Sequence, residues 1–125
     1  MSVLADGCFD PIHWGHLRYL ASAARLGSPL IVRVAPDDEI RAKGRTPFQT
    51  QAERRSCLLR VLDVDDVAMH DTLAAAIEDH RPNVLAKGVD WVGRVPADVI
   101  AACRRHGTVL VFVATQERSA TERLA

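Results

Sequence analysis

Short apolar runs of strand length alternate with segments of helical pattern along the chain, and this alternation limits the fold more than any other feature. The runs lie at residues 3–5, 30–35, 66–70, 84–86 and 109–113. Helical spacing and capping residues fill the intervals between them. Such alternation is typical of a parallel sheet that helices cover on both faces. The sequence therefore predicts an α/β fold with a five-stranded parallel sheet and helices on both faces.

The length and charge of the chain bound what it can bind. Its 125 residues suit one compact domain over residues 1–125, large enough to bury roughly two-thirds of the unfolded chain's surface. The 16 basic residues balance 16 acidic ones, so no global field attracts nucleic acid or an acidic membrane surface. We therefore expect a small-molecule ligand, and neither nucleic acid nor a membrane as a partner.

Targeting signals and cysteine usage bear on the compartment. The first strand pattern begins at Val3 without a basic and apolar leader, and no apolar run approaches the length that spans a bilayer. Cys8, Cys57 and Cys103 are odd in number and far apart, which fits neither a disulfide framework nor a zinc ribbon. We expect a soluble, cytoplasmic protein in which Cys57 and Cys103 belong to the core.

The stretch from Asp6 to His16 joins the first strand to the first helix and contains two histidines. Gly7 lets the backbone approach a ligand, and Gly15 leaves room between the imidazoles of His13 and His16. The helix is predicted to begin near His16, and a helix N-terminus attracts anions through its unpaired N–H groups and its dipole. The pattern favours a phosphate site. Half of a metal site and a purely structural capping role are the alternatives.

Further segments carry candidate ligands. Residues 41–47 form a basic segment with glycine and proline but no apolar periodicity, which is typical either of a mobile binding loop or of a solvated connection. Lys87 follows the fourth predicted strand, at the sheet edge where ligands of open α/β proteins gather. Ser119 and Glu122 have capping-box spacing and predict another helix N-terminus that points toward the strand ends.

Other helix starts are also predicted from local capping signals. Thr50 with Glu53 has capping-box spacing, and Thr72 is a suitable N-cap for the helix that follows. His70 and His80 flank that second helix and are interpreted as packing or surface residues.

Several finer expectations concern single elements. Arg33 is a charged interruption in an otherwise apolar strand, and residues 36–39 are predicted to turn the chain. Leu62 is assigned to the buried stripe of the helix that starts at Thr50. The apolar run at residues 109–113 is interpreted as a central strand.

Two motifs resemble those of a known superfamily. The chain is similar to the cytidylyltransferase-like nucleotidyltransferases in the string Gly7-Cys8-Phe9-Asp10-x-x-His13-x-Gly15-His16. A second string, Lys87-Gly88-Val89-Asp90-Trp91, resembles the Lys-Gly-Gly-Asp-Tyr of heptose-phosphate adenylyltransferase domains of ADP-heptose synthase. Asp90-Trp91-x-Gly93 also resembles a motif of glycerol-3-phosphate cytidylyltransferases. The resemblance implies a Rossmann-like fold.

The resemblance also implies a reaction, a set of site residues and a cofactor. A phosphate oxygen of a phosphorylated acceptor attacks the α-phosphorus of a nucleoside triphosphate and expels pyrophosphate, with Mg²⁺ on the triphosphate and Asp10 or Asp90 as carboxylates that could touch it. The implied catalytic residues are His13, His16 and Lys43. The implied nucleotide-binding residues are Gly7, Cys8, Phe9, Asp10, Gly15, Lys87, Gly88, Asp90, Arg118, Ser119 and Thr121. Arg54, with Arg55 as the competing choice, is the implied contact to phosphate or acceptor, and a homodimer is an expectation from relatives of this size.

The identity of the base is left between two choices, with ATP favoured. The Lys87-Gly88 pair, and Leu62 where the glycerol-phosphate enzymes carry arginine, favour ATP and a sugar phosphate. Trp14 and the Asp90-Trp91-x-Gly93 string favour CTP and a small alcohol phosphate.

Two readings other than transfer to an acceptor also remain open. Ala120 and Glu117 replace a hydroxyl residue and a glycine of the family pattern, and Val89 replaces another glycine. These departures motivate a nucleotide-binding module without transferase activity. A hydrolase that cleaves the triphosphate with water is the third reading.

Overall fold

The computed structural model describes residues 1–114, and within this range a five-stranded parallel sheet forms the centre of the molecule. The strands are β1 (Val3–Gly7), β2 (Leu30–Val34), β3 (Asp66–Ala68), β4 (Val84–Gly88) and β5 (Val109–Val113). The helices are α1 (Trp14–Ala24), α2 (Asp37–Ala42), α3 (Gln51–Leu58), α4 (Leu73–His80) and α5 (Ala97–His106), and a single 3₁₀ turn at Val89–Trp91 follows β4. The helices of residues 1–114 fall short of the length and apolar character needed to cross a bilayer.

The strand order is β3-β2-β1-β4-β5, so the chain begins at the centre of the sheet. β1 pairs in parallel with β2 on one side and with β4 on the other. The chain builds outward through β2 and β3 and then returns to place β4 against β1. This reversal opens a crevice beyond the carboxyl ends of β1 and β4, where ligands of such sheets bind.

Helices cover both faces of the sheet because alternate side chains of each strand point to opposite faces. Val3 and Ala5 of β1 pack on one face in a cluster that includes Leu20 of α1. Leu4 points to the other face, where it joins a cluster with Ile77 of α4. All these side chains are fully buried. The predicted fold class, a five-stranded parallel sheet between two helical layers, is confirmed.

The helix caps predicted from the sequence are present. The Thr50 hydroxyl accepts a hydrogen bond from the backbone N–H of Glu53, whose carboxylate accepts one from the N–H of Thr50. The Thr72 hydroxyl likewise caps α4. Gly107 ends α5 in the left-handed conformation, with φ of 65°. These caps depend on residues close in sequence, which explains why they were predictable.

Three finer expectations were wrong. Residues 37–42 form α2 instead of a simple turn, and acidic residues in its first turn interact favourably with the helix dipole. Leu62 is 100% exposed because α3 ends at Leu58, so it contributes nothing to a buried stripe. β5 lies at an edge of the sheet, where Val109 is 59% exposed, because an apolar composition does not specify strand order.

Candidate active site

A cavity of about 740 Å³ opens at the carboxyl ends of β1 and β4, where the strand order reverses. Its volume lies within the range of pockets that hold small-molecule ligands. The starts of α1, α4 and α5 complete its walls. The sequence-predicted site residues that line this cavity are Gly7, Cys8, Phe9, His13, Gly15, His16, Lys43, Lys87, Gly88 and Asp90. Arg118, Ser119 and Thr121, together with the helix predicted there, lie outside the described residues.

α1 begins with a reciprocal cap formed by the two histidines of the first motif. His13 is the N-cap residue, and its Nδ1 accepts a hydrogen bond from the backbone N–H of Gly15 at 3.1 Å. The backbone N–H of His13 donates in turn to Nδ1 of His16, also at 3.1 Å. The two rings stack with centroids 3.7 Å apart. The helix therefore starts at Trp14, earlier than predicted, and both imidazoles lie at its positive end.

These hydrogen bonds determine which nitrogen of each ring carries the proton. An Nδ1 atom that accepts from a backbone N–H carries no proton itself, so the neutral rings of His13 and His16 are protonated at Nε2. Both rings line the cavity. In each histidine, Nδ1 is therefore the acceptor in the helix cap, and the proton is on Nε2, which can act as a hydrogen-bond donor.

Gly7 and Phe9 support the histidines from below. A Cβ atom at Gly7 would lie 3.0 Å from Cε2 and Cζ of Phe9, so the glycine makes room for this ring. Phe9 is buried and has a positive φ of 52°, a conformation that is strained for a residue with a side chain. Its ring contacts His16 edge-on, with centroids 4.9 Å apart. Gly7 therefore has a packing role in addition to the ligand approach predicted from the sequence.

A buried ionic network lies beneath the cavity and was missed by sequence reasoning. Asp6 accepts from Arg33 Nη1 at 3.0 Å through one oxygen and from Lys87 Nζ at 3.2 Å through the other. Arg33 also pairs with Glu39 at 2.9 Å. Burial by itself would lower the pKa of Arg33, but its hydrogen bonds and charge interactions with Glu39 and Asp6 raise that pKa on balance. The sequence signal was the charged interruption at Arg33, but its pairing with Asp6 follows from the strand register, in which the two residues are partners on adjacent strands.

Arg33 also fixes the connection that leads from β3 to α4. Its Nε donates to the carbonyl oxygen of His70 at 3.0 Å, and its Nη2 donates to that of Asp71 at 2.7 Å. The side chain is 1% exposed. Arg33, the charged interruption seen in the sequence, therefore links the cavity wall to the neighbouring loop through its hydrogen bonds.

Lys87 is held on two sides. Besides the ion pair with Asp6, its ammonium group lies 4.0 Å from the ring centroid of Trp91, a cation–π geometry. Gly88 precedes the 3₁₀ turn with a negative φ of −68°, and Val89 is not among the described residues with positive φ. Valine therefore fits where the family motif has its second glycine. Asp90 is exposed at the cavity rim.

Tyr19 joins α1 to both central strands beneath the cavity. Its hydroxyl donates to the carbonyl oxygen of Ala86 and accepts from the backbone N–H of Asp6. Burial is the largest cause of the raised pKa of Tyr19, which keeps the hydroxyl neutral. This residue fixes the position of α1, and hence of the histidine cap, relative to β4.

The basic segment after α2 folds against the first motif. Lys43 Nζ lies 3.4 Å from Sγ of Cys8, and a guanidinium nitrogen of Arg45 lies 4.0 Å from the same sulfur. Lys43 is exposed and lines the cavity. The structure therefore brings Lys43 next to Cys8 of the first motif.

Asp10 does not contact the cavity, contrary to its assignment as a nucleotide-binding residue. Its two carboxylate oxygens accept hydrogen bonds from the backbone N–H groups of Phe48 and Gln49, each at 2.8 Å. The cavity wall does not include it. Asp10 instead fastens the loop before α3 to the first motif.

Arg54 is likewise a structural residue and not the predicted contact to phosphate or acceptor. Its side chain is fully buried, and its guanidinium group donates to the carbonyl oxygens of Cys8 at 2.9 Å and Ala35 at 2.6 Å. It also pairs with Asp37 at 2.6 Å. These bonds hold the turns after β1 and β2 together, because both turns leave carbonyl groups that need donors. The competing choice, Arg55, is exposed and lies outside the cavity wall.

Comparison with known proteins agrees with this architecture. Residues 4–102 match the family model described as cytidylyltransferase-like. The chain is 36% identical over 124 residues to the bifunctional protein HldE of Nitrosococcus oceani. The matching region covers 96% of this chain and 26% of that protein. It is 38% identical over 108 residues to HldE of Campylobacter curvus, covering 82% of this chain and 23% of that protein. The chain thus spans about a quarter of the length of these curated relatives.

Solved structures share the fold. The lipopolysaccharide core biosynthesis protein from Thermoplasma volcanium GSS1 is 24% identical, with a TM-score of 0.79 over 95% of this chain and 98% of that chain. A protein of unknown function from Archaeoglobus fulgidus is 17% identical, with a TM-score of 0.74 over 96% of this chain and 94% of that chain. With the family match over residues 4–102, the chain belongs to the cytidylyltransferase-like family of nucleotidyltransferases.

Proposed function

We propose that this domain transfers an adenylyl group from ATP to a phosphorylated small acceptor such as a sugar phosphate. An oxygen of the acceptor phosphate forms a bond to the α-phosphorus. The bond from that phosphorus to the oxygen bridging the β-phosphorus breaks, and pyrophosphate leaves with its electron pair. The observation that carries the proposal is the pair of imidazoles of His13 and His16, which line the cavity at the positive end of α1 and whose Nε2–H groups are the proposed donors.

This arrangement suits phosphate chemistry because a phosphate monoester is already an anionic nucleophile at neutral pH. The reaction therefore needs alignment of two anions and stabilisation of developing charge more than it needs a strong base. The rings of His13 and His16 supply N–H donors in this proposal, and the helix dipole adds a favourable potential. Lys43 adds a cation on an exposed side chain that can reach bound phosphates.

The charges of the wall support a requirement for Mg²⁺. The cations Arg33 and Lys87 are already paired with Asp6 and Glu39, so they attract a polyphosphate less than their number suggests. Mg²⁺, when bound, screens the triphosphate and polarises the phosphorus that is attacked. Within residues 1–114, the cavity wall holds no cluster of three metal-ligating side chains. Phosphate oxygens and water would therefore be the main ligands, with the exposed carboxylate of Asp90 within the same wall.

The choice of ATP over CTP depends on fewer residues than the sequence suggested. Leu62 is fully exposed and lies outside the cavity wall, so the structure gives no contact through which it would select ATP. Trp14 is 56% exposed and also lies outside the wall, which removes an argument for CTP. The Lys87-Gly88 turn and the similarity to HldE support ATP and a sugar phosphate. CTP with an alcohol phosphate is the second candidate, favoured by Asp90 and Trp91.

The test is a matrix of substrates with the purified chain and Mg²⁺. Each nucleoside triphosphate is combined with hexose, heptose and glycerol phosphates, pyrophosphate release is followed, and ³¹P NMR identifies the diphosphate linkage of the product. We expect turnover with ATP and a sugar phosphate. Turnover with CTP alone would overturn the choice of base, and pyrophosphate release without acceptor would indicate hydrolysis. Nucleotide binding without pyrophosphate release over the whole panel would favour a binding module.

A further inference from the structure

A second cluster of polar side chains lies outside the cavity wall, at the far end of α4. His70 follows β3, and Asp79 and His80 are the last two residues of α4. The proposed transferase chemistry does not use these residues. From the sequence, the two histidines were interpreted as packing or surface residues. The structure brings both rings to the same carboxylate oxygen of Asp79.

The three side chains converge on a small volume. His70 Nε2 lies 2.9 Å from Asp79 Oδ2, and His80 Nε2 lies 3.9 Å from the same oxygen. One candidate ligand atom from each residue lies within 4.8 Å of the other two. In a tetrahedral zinc site, bonds of about 2.0–2.1 Å place neighbouring ligand atoms roughly 3.4 Å apart. The two distances to Asp79 Oδ2 bracket that value, so small rotations of the side chains would complete the geometry.

Ring nitrogens of this cluster lack partners in the part of the chain that the structure describes. His80 Nε2, which faces Asp79 Oδ2, is inaccessible to solvent and makes no hydrogen bond there. His70 Nδ1 is also buried and unpartnered, but His70 faces the same oxygen with its other ring nitrogen, Nε2, so only His80 Nε2 is an unsatisfied atom at the candidate metal position. Buried polar atoms are normally satisfied, so an unsatisfied imidazole nitrogen calls for an explanation. An unprotonated ring nitrogen has a lone pair that a metal ion accepts. The rings of His70 and His80 meet edge to face, with centroids 5.0 Å apart.

We propose that His70, Asp79 and His80 bind a divalent transition-metal ion, with Zn²⁺ as the metal that this ligand set fits. Two imidazole nitrogens with one carboxylate oxygen form a set that suits zinc, and water can occupy the remaining position. Mg²⁺ prefers oxygen ligands and fits this set poorly. The Asp79 side chain is 66% exposed, which leaves an entry path from solvent.

The cluster is linked to the cavity through the backbone. The carbonyl oxygens of His70 and of the adjacent Asp71 both accept from Arg33, which pairs with Asp6 in the cavity wall. A metal ion bound by the His70 side chain would fix the same residue whose backbone carbonyl Arg33 already holds. The expected effect of the metal is therefore stabilisation of the fold and of Arg33, not participation in the transfer reaction.

The test measures zinc affinity of the full chain without nucleotide, using competition with a chromophoric chelator. The wild type is compared with a His70→Gln/His80→Gln double variant and with Asp79→Asn. The matched control is His106→Gln, which removes a histidine that pairs with the carboxylate of Glu78 elsewhere on the helical layer. We expect one zinc site whose Kd weakens about 100-fold or more in the double variant, beyond the effect of losing an outer-shell partner. The control should retain wild-type affinity.

A second measurement covers the case in which the double variant does not fold. In the wild-type chain, added Zn²⁺ should shift the ring signals of His70 and His80 in NMR spectra, and added Co²⁺ should give a tetrahedral absorption spectrum without a thiolate charge-transfer band. Equal zinc affinity in wild type and double variant would overturn the proposal. So would shifts confined to His13 and His16, or a thiolate band that assigns the metal to cysteine.

Discussion

The two ring nitrogens of His13 and of His16 have different roles, one in the helix cap and one in the proposed reaction. Each Nδ1 accepts a backbone hydrogen bond at the start of α1, and Nε2–H is the donor that we propose for the reaction. Amide side chains can separate these functions, because asparagine places an acceptor near the position of Nδ1 and glutamine places a donor near that of Nε2.

Replacing His16 by asparagine should preserve the cap and abolish the donor. We expect a melting temperature near that of wild type and a fall in kcat of about 100-fold or more, the usual cost of losing one donor to a transition-state oxygen. Steady-state pyrophosphate release and thermal unfolding measure the two effects. His16→Gln should show the opposite pattern, with a stability loss of about 1 kcal/mol from the missing cap and a smaller loss of kcat.

His106→Asn is the matched control for this pair, since His106 lies on α5 and contacts Glu78, away from the cavity wall. Its kcat should equal that of wild type. Near-normal kcat in His16→Asn would contradict the assignment of His16 as a catalytic residue.

Neighbouring elements are held together by charge as well as by apolar packing. Asp6 on β1 joins Arg33 on β2 and Lys87 on β4, so three adjacent strands share one ionic network at the end that faces the cavity. Removing one partner of such a network leaves a buried charge uncompensated, which costs more than the network contributes as a whole.

Asp6→Asn should therefore lower the free energy of unfolding by about 3 kcal/mol, because Arg33 and Lys87 lose their shared carboxylate. Urea denaturation followed by circular dichroism measures this change. The control is Asp38→Asn, whose ion pair with Arg41 is exposed on both sides and should contribute less than about 1 kcal/mol. Equal effects of the two substitutions would show that the buried network does not stabilise the fold.

The two helices on one face, α4 and α5, are joined by ion pairs that predict a pH dependence. Glu78 on α4 contacts His106 and Arg105 on α5, and hydrogen bonds from His106 first, then Arg105, hold the pKa of Glu78 below its usual value. A carboxylate with a depressed pKa stabilises the fold above its unfolded pKa, and this contribution is lost as pH falls through the folded pKa.

Glu78→Gln should accordingly reduce the melting temperature at pH 7, and the deficit relative to wild type should shrink as pH falls below about 4. Thermal unfolding of both proteins across this range measures it. A deficit that stays constant with pH would mean that the substitution acts through packing and not through charge.

At the scale of the whole molecule, local signals were sufficient for the order of the strands along the chain but not for their arrangement in the sheet. The caps at Thr50 and Thr72 and the glycine at Gly107 act within a few residues, so the sequence predicted them. The edge position of β5 depends on pairing between distant segments, and the chain shows only that the run is apolar.

In the candidate site, too, local features were predictable from the sequence and contacts between distant segments were not. Its loop motifs are contiguous and were recognisable, whereas the Asp6–Arg33–Lys87 network depends on strand register. Arg54 was assigned to the ligand from the resemblance to the family, with a solvated helix charge as the alternative. The structure shows neither, because the side chain is buried against the turns after β1 and β2.

A ligand that bridges the walls of the cavity should stabilise the whole fold, because those walls come from both halves of the sheet. At 100 times its Kd, Mg²⁺-ATP is expected to add about 2.7 kcal/mol to the free energy of unfolding. Thermal shift assays with ATP and CTP at equal concentrations measure the preference directly. A larger shift with CTP would contradict the proposed nucleotide, and Mg²⁺ without nucleotide is the control.

The reciprocal histidine cap also affects how substrate binding energy is used. Fixing a flexible side chain on binding costs about 0.5–1.5 kcal/mol. In this protein the backbone of α1 already orients both rings before any ligand arrives, so that entropic cost is borne by folding. If the two rings are the donors that we propose, substrate specificity can change through the surrounding loops without altering the orientation of those donors.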